Sequence, residues 1–112
     1  MNIVEILTMR LNALGYQVIS AYDGQKGLHL ARQQQPDLII LDVMLPKMNG
    51  YKVCRLLKFD AKYKDIPIIM LTSRESKHNE QIGLDTGADA YVYKSDQKGT
   101  LLKLIRHYLG PA

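Results

Sequence analysis

Residues 38–50 carry the pattern that decides the fold: Leu38-Ile39-Ile40-Leu41-Asp42, followed by Val43-Met44-Leu45-Pro46-Lys47-Met48-Asn49-Gly50. Consecutive apolar residues of this kind predict a short strand that is buried on both faces of a sheet. The Leu-Pro and Asn-Gly steps predict a loop before the next helix. Asp42 therefore ends a buried strand, which is where open α/β sheets place their chemistry.

Two later segments repeat the pattern of an apolar strand that ends in a chemically useful side chain. Thr72 follows the run at 67–71, and Lys94 follows Ala90-Tyr91-Val92-Tyr93. Parallel strands bring their carboxyl ends to one edge of a sheet, so an acid, a hydroxyl and an ammonium group should meet there. This combination predicts a site that handles a phosphoryl group.

The remaining segments predict helices and one more strand. Helices are predicted over 2–14, 24–35, 51–59, roughly 77–86 and 101–109, the first of them from apolar residues at helical spacing, while 16–21 alternates in part as a strand does. Gly15 is placed to cap the first helix in a left-handed conformation. The order αβαβαβαβα predicts a parallel sheet with helices on both faces.

Composition favours a single domain over residues 1–112. The chain has 46% hydrophobic residues and a formal net charge of +4. Its lysines and arginines are scattered, so no nucleic-acid partner is predicted. No segment approaches the roughly 20 apolar residues of a membrane span. The single cysteine, Cys54, is expected in the core and favours a reducing, cytoplasmic location.

The chain closely resembles the receiver domain of two-component response regulators. The matching stretches are residues 16–18, 23–24, 36–42, 45–50, 67–72 and 87–91, together with Lys94. The resemblance implies a flavodoxin-like sheet with strand order 2-1-3-4-5. It also implies a signalling domain rather than a metabolic enzyme.

The resemblance assigns a role to each candidate site residue. Asp42 matches the phospho-acceptor, and Lys94 matches the lysine that contacts the phosphoryl oxygens. Thr72 matches the hydroxyl that moves toward the phosphoryl group, and Tyr91 matches the aromatic that changes rotamer with it. Asp42 and the backbone carbonyl of Met44 match ligand positions for Mg²⁺. Tyr91 and Tyr93 are expected to face opposite sides of their strand.

Two departures from the family pattern bear on these expectations. Receivers normally follow the lysine with proline, whereas this chain has Ser95, so a cis peptide after Lys94 is not expected. Receivers also begin with an apolar strand that ends in an acidic pair, whereas this sequence starts in what matches the first helix. The acidic pair that helps to hold Mg²⁺ is therefore absent. Asp23 is the nearest substitute, but an Asp-Gly step is adequately explained as a turn.

Absence of that central strand should affect both stability and chemistry. Several buried aliphatic side chains would be lost, roughly 5–10 kcal/mol of burial. Three compensations stay open. The 16–21 strand could pair directly with the Asp42 strand, two copies could exchange segments in a homodimer, or residues 3–7 could form a strand instead of a helix. With fewer Mg²⁺ ligands, Asp42 should accept phosphoryl groups less readily.

The leading hypothesis is a phosphorylation-dependent signalling domain, impaired in this form. A histidine kinase or phosphotransfer protein would supply the phosphoryl group. The face formed by the fourth and fifth helices would contact a downstream protein. The alternatives are a phosphorylation-independent protein-binding module and an engineered flavodoxin-like fragment. An ordinary enzyme is not expected, because the chain has neither a glycine-rich phosphate loop nor a nucleophile–base pair.

Overall fold

The structure, a computed structural model, describes residues 3–45, 47–72, 85–93 and 99–110. The helices within these ranges are α1 (Ile3–Ala13), α2 (Gly24–Gln34), α3 (Gly50–Lys58) and α4 (Thr100–Leu109), and the strands are β1 (Ile39–Asp42), β2 (Ile68–Thr72) and β3 (Ala90–Tyr93). Each of these elements lies within about two residues of its predicted bounds. The helix predicted over 77–86 falls outside the described residues, apart from its last two positions.

The three described strands form one parallel sheet in the order β1-β2-β3. The central strand, β2, has all five of its residues buried, which explains its continuous apolar sequence. The neighbouring pairs Ile40 with Ile69 and Ile69 with Ala90 set the register across the sheet. The predicted parallel α/β architecture is therefore confirmed.

Alternation along the strands divides the core into two layers. Leu41 and Met70 belong to a cluster with α2 and α3, in which Leu57 is fully buried. The neighbouring β2 residue Ile69 belongs to the opposite cluster, with Ile105 of α4. Residues of α1 pack against that second cluster. Helices thus cover both faces, as the helix–strand order predicts.

The prediction of a strand over 16–21 is wrong for this structure. The segment follows α1 through Gly15, which has a φ of 95°, and it forms no ladder with any described strand. Side-chain contacts fix it instead: the Tyr16 hydroxyl donates to the Gly110 carbonyl at 2.9 Å, and Ser20 lies 3.2 Å from the Thr8 hydroxyl. A strand needs a neighbour for its backbone groups, and none of the described segments supplies one beside it.

Two of the three proposed compensations are therefore not adopted. Residues 3–7 belong to helix α1 rather than to a strand, and the 16–21 segment does not pair with β1. Leu7 and Leu11, one helical turn apart, pack toward the α4 layer, so tertiary packing favours the helix. Exchange between two copies stays a prediction. In the described part of the chain, no helix combines the length and apolarity needed to cross a bilayer.

A buried lysine ties the end of α3 to the start of β2 and β3. The Lys58 ammonium lies 2.7 Å from an Asp89 carboxylate oxygen and donates to the carbonyls of Lys64 and Ile66 at 2.9 and 2.8 Å. The same carboxylate accepts from the Ile68 N–H at 2.8 Å. The lysine side chain is only 9% exposed, so the network substitutes for water around the charge.

Cys54 is fully buried on α3, as expected, and we predict that folding protects it. Burial raises the pKa of the Cys54 thiol, although a hydrogen bond with the Thr86 side chain opposes the shift. The thiol ionises first in the unfolded chain, so stability should decline as pH rises past the ordinary thiol pKa of about 8.5. A disulfide reagent at pH 8 should label it far more slowly in buffer than in urea. Equal rates in the two solvents would contradict the burial.

Candidate functional site

The carboxyl ends of all three strands lie at one edge of the sheet. Asp42 of β1 is opposite Leu71, and Thr72 is opposite Tyr93. Asp42 and Thr72 are therefore the last residues of two adjacent strands, and Thr72 lies one residue beyond the partner of Asp42. Lys94 directly follows Tyr93 but falls outside the described residues, so its approach to Asp42 stays a prediction.

The backbone after β1 holds the Asp42 side chain. Its Oδ1 accepts a hydrogen bond from the Met44 N–H at 2.9 Å, while the intervening Val43 is buried and donates to the Leu71 carbonyl at 3.1 Å. This two-residue side-chain turn limits how the carboxylate can rotate. The half-buried carboxylate thus has a set direction at the edge of the sheet.

Helix α3 begins against the backbone of the candidate acceptor. The Gly50 N–H donates to the Val43 carbonyl at 3.0 Å, and the Asn49 side chain caps the helix by accepting from the Lys52 N–H at 3.0 Å. A β-carbon on Gly50 would overlap the Asp42 carbonyl group. Glycine is therefore required here by close approach of two backbone segments.

We expect Gly50→Ala to disturb both stability and the acceptor. The added methyl group must displace either α3 or the end of β1, an overpacking effect that costs about 2 kcal/mol. Urea unfolding and the backbone amide shifts of residues 42–44 measure the two effects. Gly27→Ala is the matched control, since a β-carbon there meets only Ala21 at 3.8 Å. Equal unfolding midpoints for the two variants would contradict this account.

Asp23 serves as the N-cap of α2, which supports the interpretation of the Asp-Gly step as structural. One of its oxygens accepts from the Lys26 N–H at 2.8 Å. The other lies 3.9 Å from the ammonium of Lys47, in the loop after β1. Gly24 also lies directly against the Met48 backbone. The turn at Asp23 therefore packs on the loop that follows Asp42. The Asp23 carboxylate itself is already engaged by the Lys26 N–H and the Lys47 ammonium.

The two remaining described candidates differ in accessibility. Thr72 is fully buried, so its hydroxyl needs local opening before it can meet a ligand. Tyr91 is half-buried, with its hydroxyl 3.2 Å from that of Tyr51 on α3. The expectation that Tyr91 and Tyr93 face opposite sides is wrong: their rings meet edge to face at 5.8 Å. Residues two apart in a strand share a face.

The oxygen donors at this edge match Mg²⁺ in type but are few in number. Asp42 offers a carboxylate and Met44 a carbonyl, both hard ligands of the kind that Mg²⁺ prefers. Within the described ranges, no group of three histidine, cysteine or acidic side chains is placed to hold a metal ion. Water would have to fill most of the coordination shell.

Sequence reasoning missed two contacts around the candidate site. The hydroxyl pair of Tyr51 and Tyr91 joins residues far apart in the sequence, and no local pattern predicts it. The Asp42–Met44 turn could have been anticipated, because aspartate favours a side-chain bond to the backbone two residues later.

Comparison with known proteins decides the family. The sequence model of the response regulator receiver domain matches residues 1–106. The chain belongs to the response regulator receiver family. Receiver domains are signalling modules of two-component systems rather than classical enzymes.

Similar proteins agree with this receiver assignment. A probable transcriptional regulator, ycf27, of Guillardia theta is 45% identical over 108 residues, which are 96% of this chain and 41% of that protein. The receiver thus spans less than half of this curated relative. The chemotaxis protein CheY4 of Vibrio cholerae has a TM-score of 0.85 at 34% identity, covering 96% of this chain and 89% of that one.

A further solved receiver carries a metal. The receiver domain of a sensor histidine kinase of Pseudomonas aeruginosa has magnesium coordinated in its active-site cleft. It aligns with a TM-score of 0.84 at 26% identity, covering 95% of this chain and 87% of that one. These matches confirm the flavodoxin-like fold expected from the sequence.

Proposed function

We propose that this receiver accepts a phosphoryl group on Asp42 from a histidine kinase or a phosphotransfer protein. The observation that carries the proposal is the position of Asp42: it ends a buried strand at the carboxyl edge, with its carboxylate oriented by the Met44 N–H. Thr72 ends the adjacent strand and Lys94 follows the third. Together they supply the polar groups that a phosphoryl dianion requires.

The chemistry proposed for these residues is nucleophilic. An Asp42 oxygen attacks phosphorus, the bond to the donor's leaving group breaks, and an acyl phosphate forms. Lys94 and Thr72 bind the transferred oxygens. Bound Mg²⁺ would offset the repulsion between the carboxylate and the incoming phosphoryl group. The receiver thus assists its own modification without turning over a separate substrate.

The signal would leave through the face formed by the fourth and fifth predicted helices. The fifth corresponds to α4, whose buried residues Leu101 and Ile105 face the sheet. Tyr91, on the strand before it, would couple the acceptor edge to that face by changing rotamer. We propose a protein as the receiving partner. The Guillardia theta relative is named a probable transcriptional regulator. The single free cysteine supports a reducing, cytoplasmic location.

Acetyl phosphate labelling with a Mg²⁺ titration tests the proposal. One phosphoryl group should add to the chain, seen by intact mass, and hydroxylamine should remove it as it removes acyl phosphates. The small donor set predicts weak, unsaturated labelling at millimolar Mg²⁺. Fusing an apolar strand that ends in two acidic residues ahead of residue 1 should increase it. Saturation of the unfused chain at ordinary millimolar Mg²⁺ would contradict the predicted impairment.

A phosphorylation-independent binding module is the second candidate. Full burial of Thr72, which keeps its hydroxyl away from a ligand at the edge of the sheet, favours it. If no donor labels either the chain or its fused form, the phosphoryl proposal fails and this candidate takes its place.

A further inference from the structure

A surface cleft between the carboxyl ends of α2 and α3 is not used by the proposed phosphoryl chemistry. It is a depression of about 650 Å³ that is largely open to solvent, which suits the side chains of a docked partner better than an enclosed small molecule. It lies on the sheet face opposite α1 and α4. Its lining residues are Arg32, Arg55, Leu56, Phe59, Asp60 and Ala61, which together we name the α2–α3 cleft.

The apolar part of the α2–α3 cleft is exposed to solvent. Phe59, the only phenylalanine of the chain, is 72% exposed, and Leu56 is 37% exposed. They are three residues apart, so they lie on the same side of the last turn of α3. Single exposed apolar residues are ordinary. An aromatic and an aliphatic side chain that share one cleft form a candidate anchor for a partner.

The charged part of the α2–α3 cleft is cationic. Arg32 and Arg55 are exposed, and neither belongs to an ion pair within the described residues. The Asp60 carboxylate accepts from the Lys62 N–H at 2.9 Å and keeps its negative charge, so two arginines against one aspartate leave the cleft with one net positive charge. A single arginine in the last turn of a helix is accounted for by the helix dipole, which favours positive charge at that end. The dipole does not explain why two such arginines flank exposed Leu56 and Phe59.

We propose that the α2–α3 cleft binds an acidic segment of a partner protein through one inserted apolar side chain. Carboxylates of the segment would pair with Arg32 and Arg55, whose planar guanidinium groups suit bidentate contact. The apolar side chain would cover Phe59 and Leu56. This surface lies on other helices than the proposed output face and does not involve Asp42. It would therefore work whether or not the receiver is phosphorylated.

The test is a titration of the isotope-labelled chain with synthetic peptides, followed by amide chemical shifts. Each peptide has about twelve residues, is rich in glutamate, and carries one leucine or tryptophan at a varied position. Shift changes should centre on residues 32 and 55–61. Arg55→Glu and Phe59→Ala should each weaken binding by about tenfold or more.

Arg106→Glu is the matched control, since Arg106 is also an exposed arginine in the last turn of a helix, here α4. It changes the net charge equally and should weaken binding by no more than about twofold. Arg32→Gln provides a second test of the pairing if Arg55→Glu unfolds the chain, which a melting curve reports.

Four results would overturn the proposal. The first is equal weakening by Arg106→Glu and Arg55→Glu, which indicates diffuse attraction of charge. The second is unchanged affinity in Phe59→Ala, and the third is no binding of any peptide. The fourth is a concentration-dependent shift of cleft signals without peptide, which would show that a second copy of the chain occupies the cleft.

Discussion

Asp42→Asn is expected to abolish labelling by acetyl phosphate, the largest functional effect proposed for this receiver. The amide retains the oxygen that accepts from the Met44 N–H at 2.9 Å, so the local turn should survive. It has no anionic oxygen, so it cannot form the acyl phosphate. Intact-mass measurement after incubation with the donor should show no added phosphoryl group, while the melting temperature changes little.

Asp37→Asn is the matched control for that experiment. Asp37 is an exposed aspartate shortly before β1, and its change removes the same charge from the same region. Labelling should continue at the wild-type rate. If Asp42→Asn still gains a phosphoryl group, another residue is the acceptor and the proposed site is wrong.

Lys58→Met should cause the largest loss of stability. Methionine keeps the alkyl packing but leaves Asp89 and two backbone carbonyls without the ammonium that they contact at 2.7–2.9 Å. The Asp89 carboxylate is 34% exposed, so water offsets part of the lost attraction and the change costs about 2–3 kcal/mol, which lowers the melting temperature of a domain this size by roughly 10 °C. Urea unfolding and thermal melting both measure the loss.

A double-mutant cycle separates the ion pair from packing. Asp89→Asn leaves the carbonyl contacts of Lys58 in place, and the double variant should lose less than the sum of the single variants, by about 1–2 kcal/mol. Lys103→Met, at an exposed position on α4, should stay within about 0.5 kcal/mol of wild type. Strict additivity would mean that Lys58 acts through its carbonyl contacts alone.

The order of helices and described strands followed from sequence because each element carries its own periodicity. Ile68 to Thr72 are continuously apolar up to the last residue, as a strand between two others must be. Leu7 and Leu11 have helical spacing, and their segment is helical. These periodic patterns involve residues that are close together along the chain, so they can be recognised in a single sequence.

The sequence could not show which residues that are far apart along the chain come into contact. The 16–21 segment alternates like a strand, yet alternation does not provide a neighbour to bond with. The Lys58–Asp89 pair joins the end of one helix to the turn before a distant strand. Nothing local distinguishes Lys58 from the exposed lysines near it. At the candidate site, the positions of Asp42 and Thr72 at the ends of strands could be predicted from the sequence. The full burial of the Thr72 side chain could not.

The pairing of β1 gives the acceptor strand a different kinetic character from the central strand. Within the described residues, β1 and β3 each have a strand neighbour on one side only, whereas β2 has one on each side. The amide of Ile40 therefore faces away from β2, since Ile39 and Val43 donate toward it. Local opening can release β1 at less free energy than unfolding of the domain. Amide hydrogens should thus exchange with solvent sooner at Ile40 than at Ile69, and the residue proposed for chemistry sits on a strand that can open without unfolding the domain.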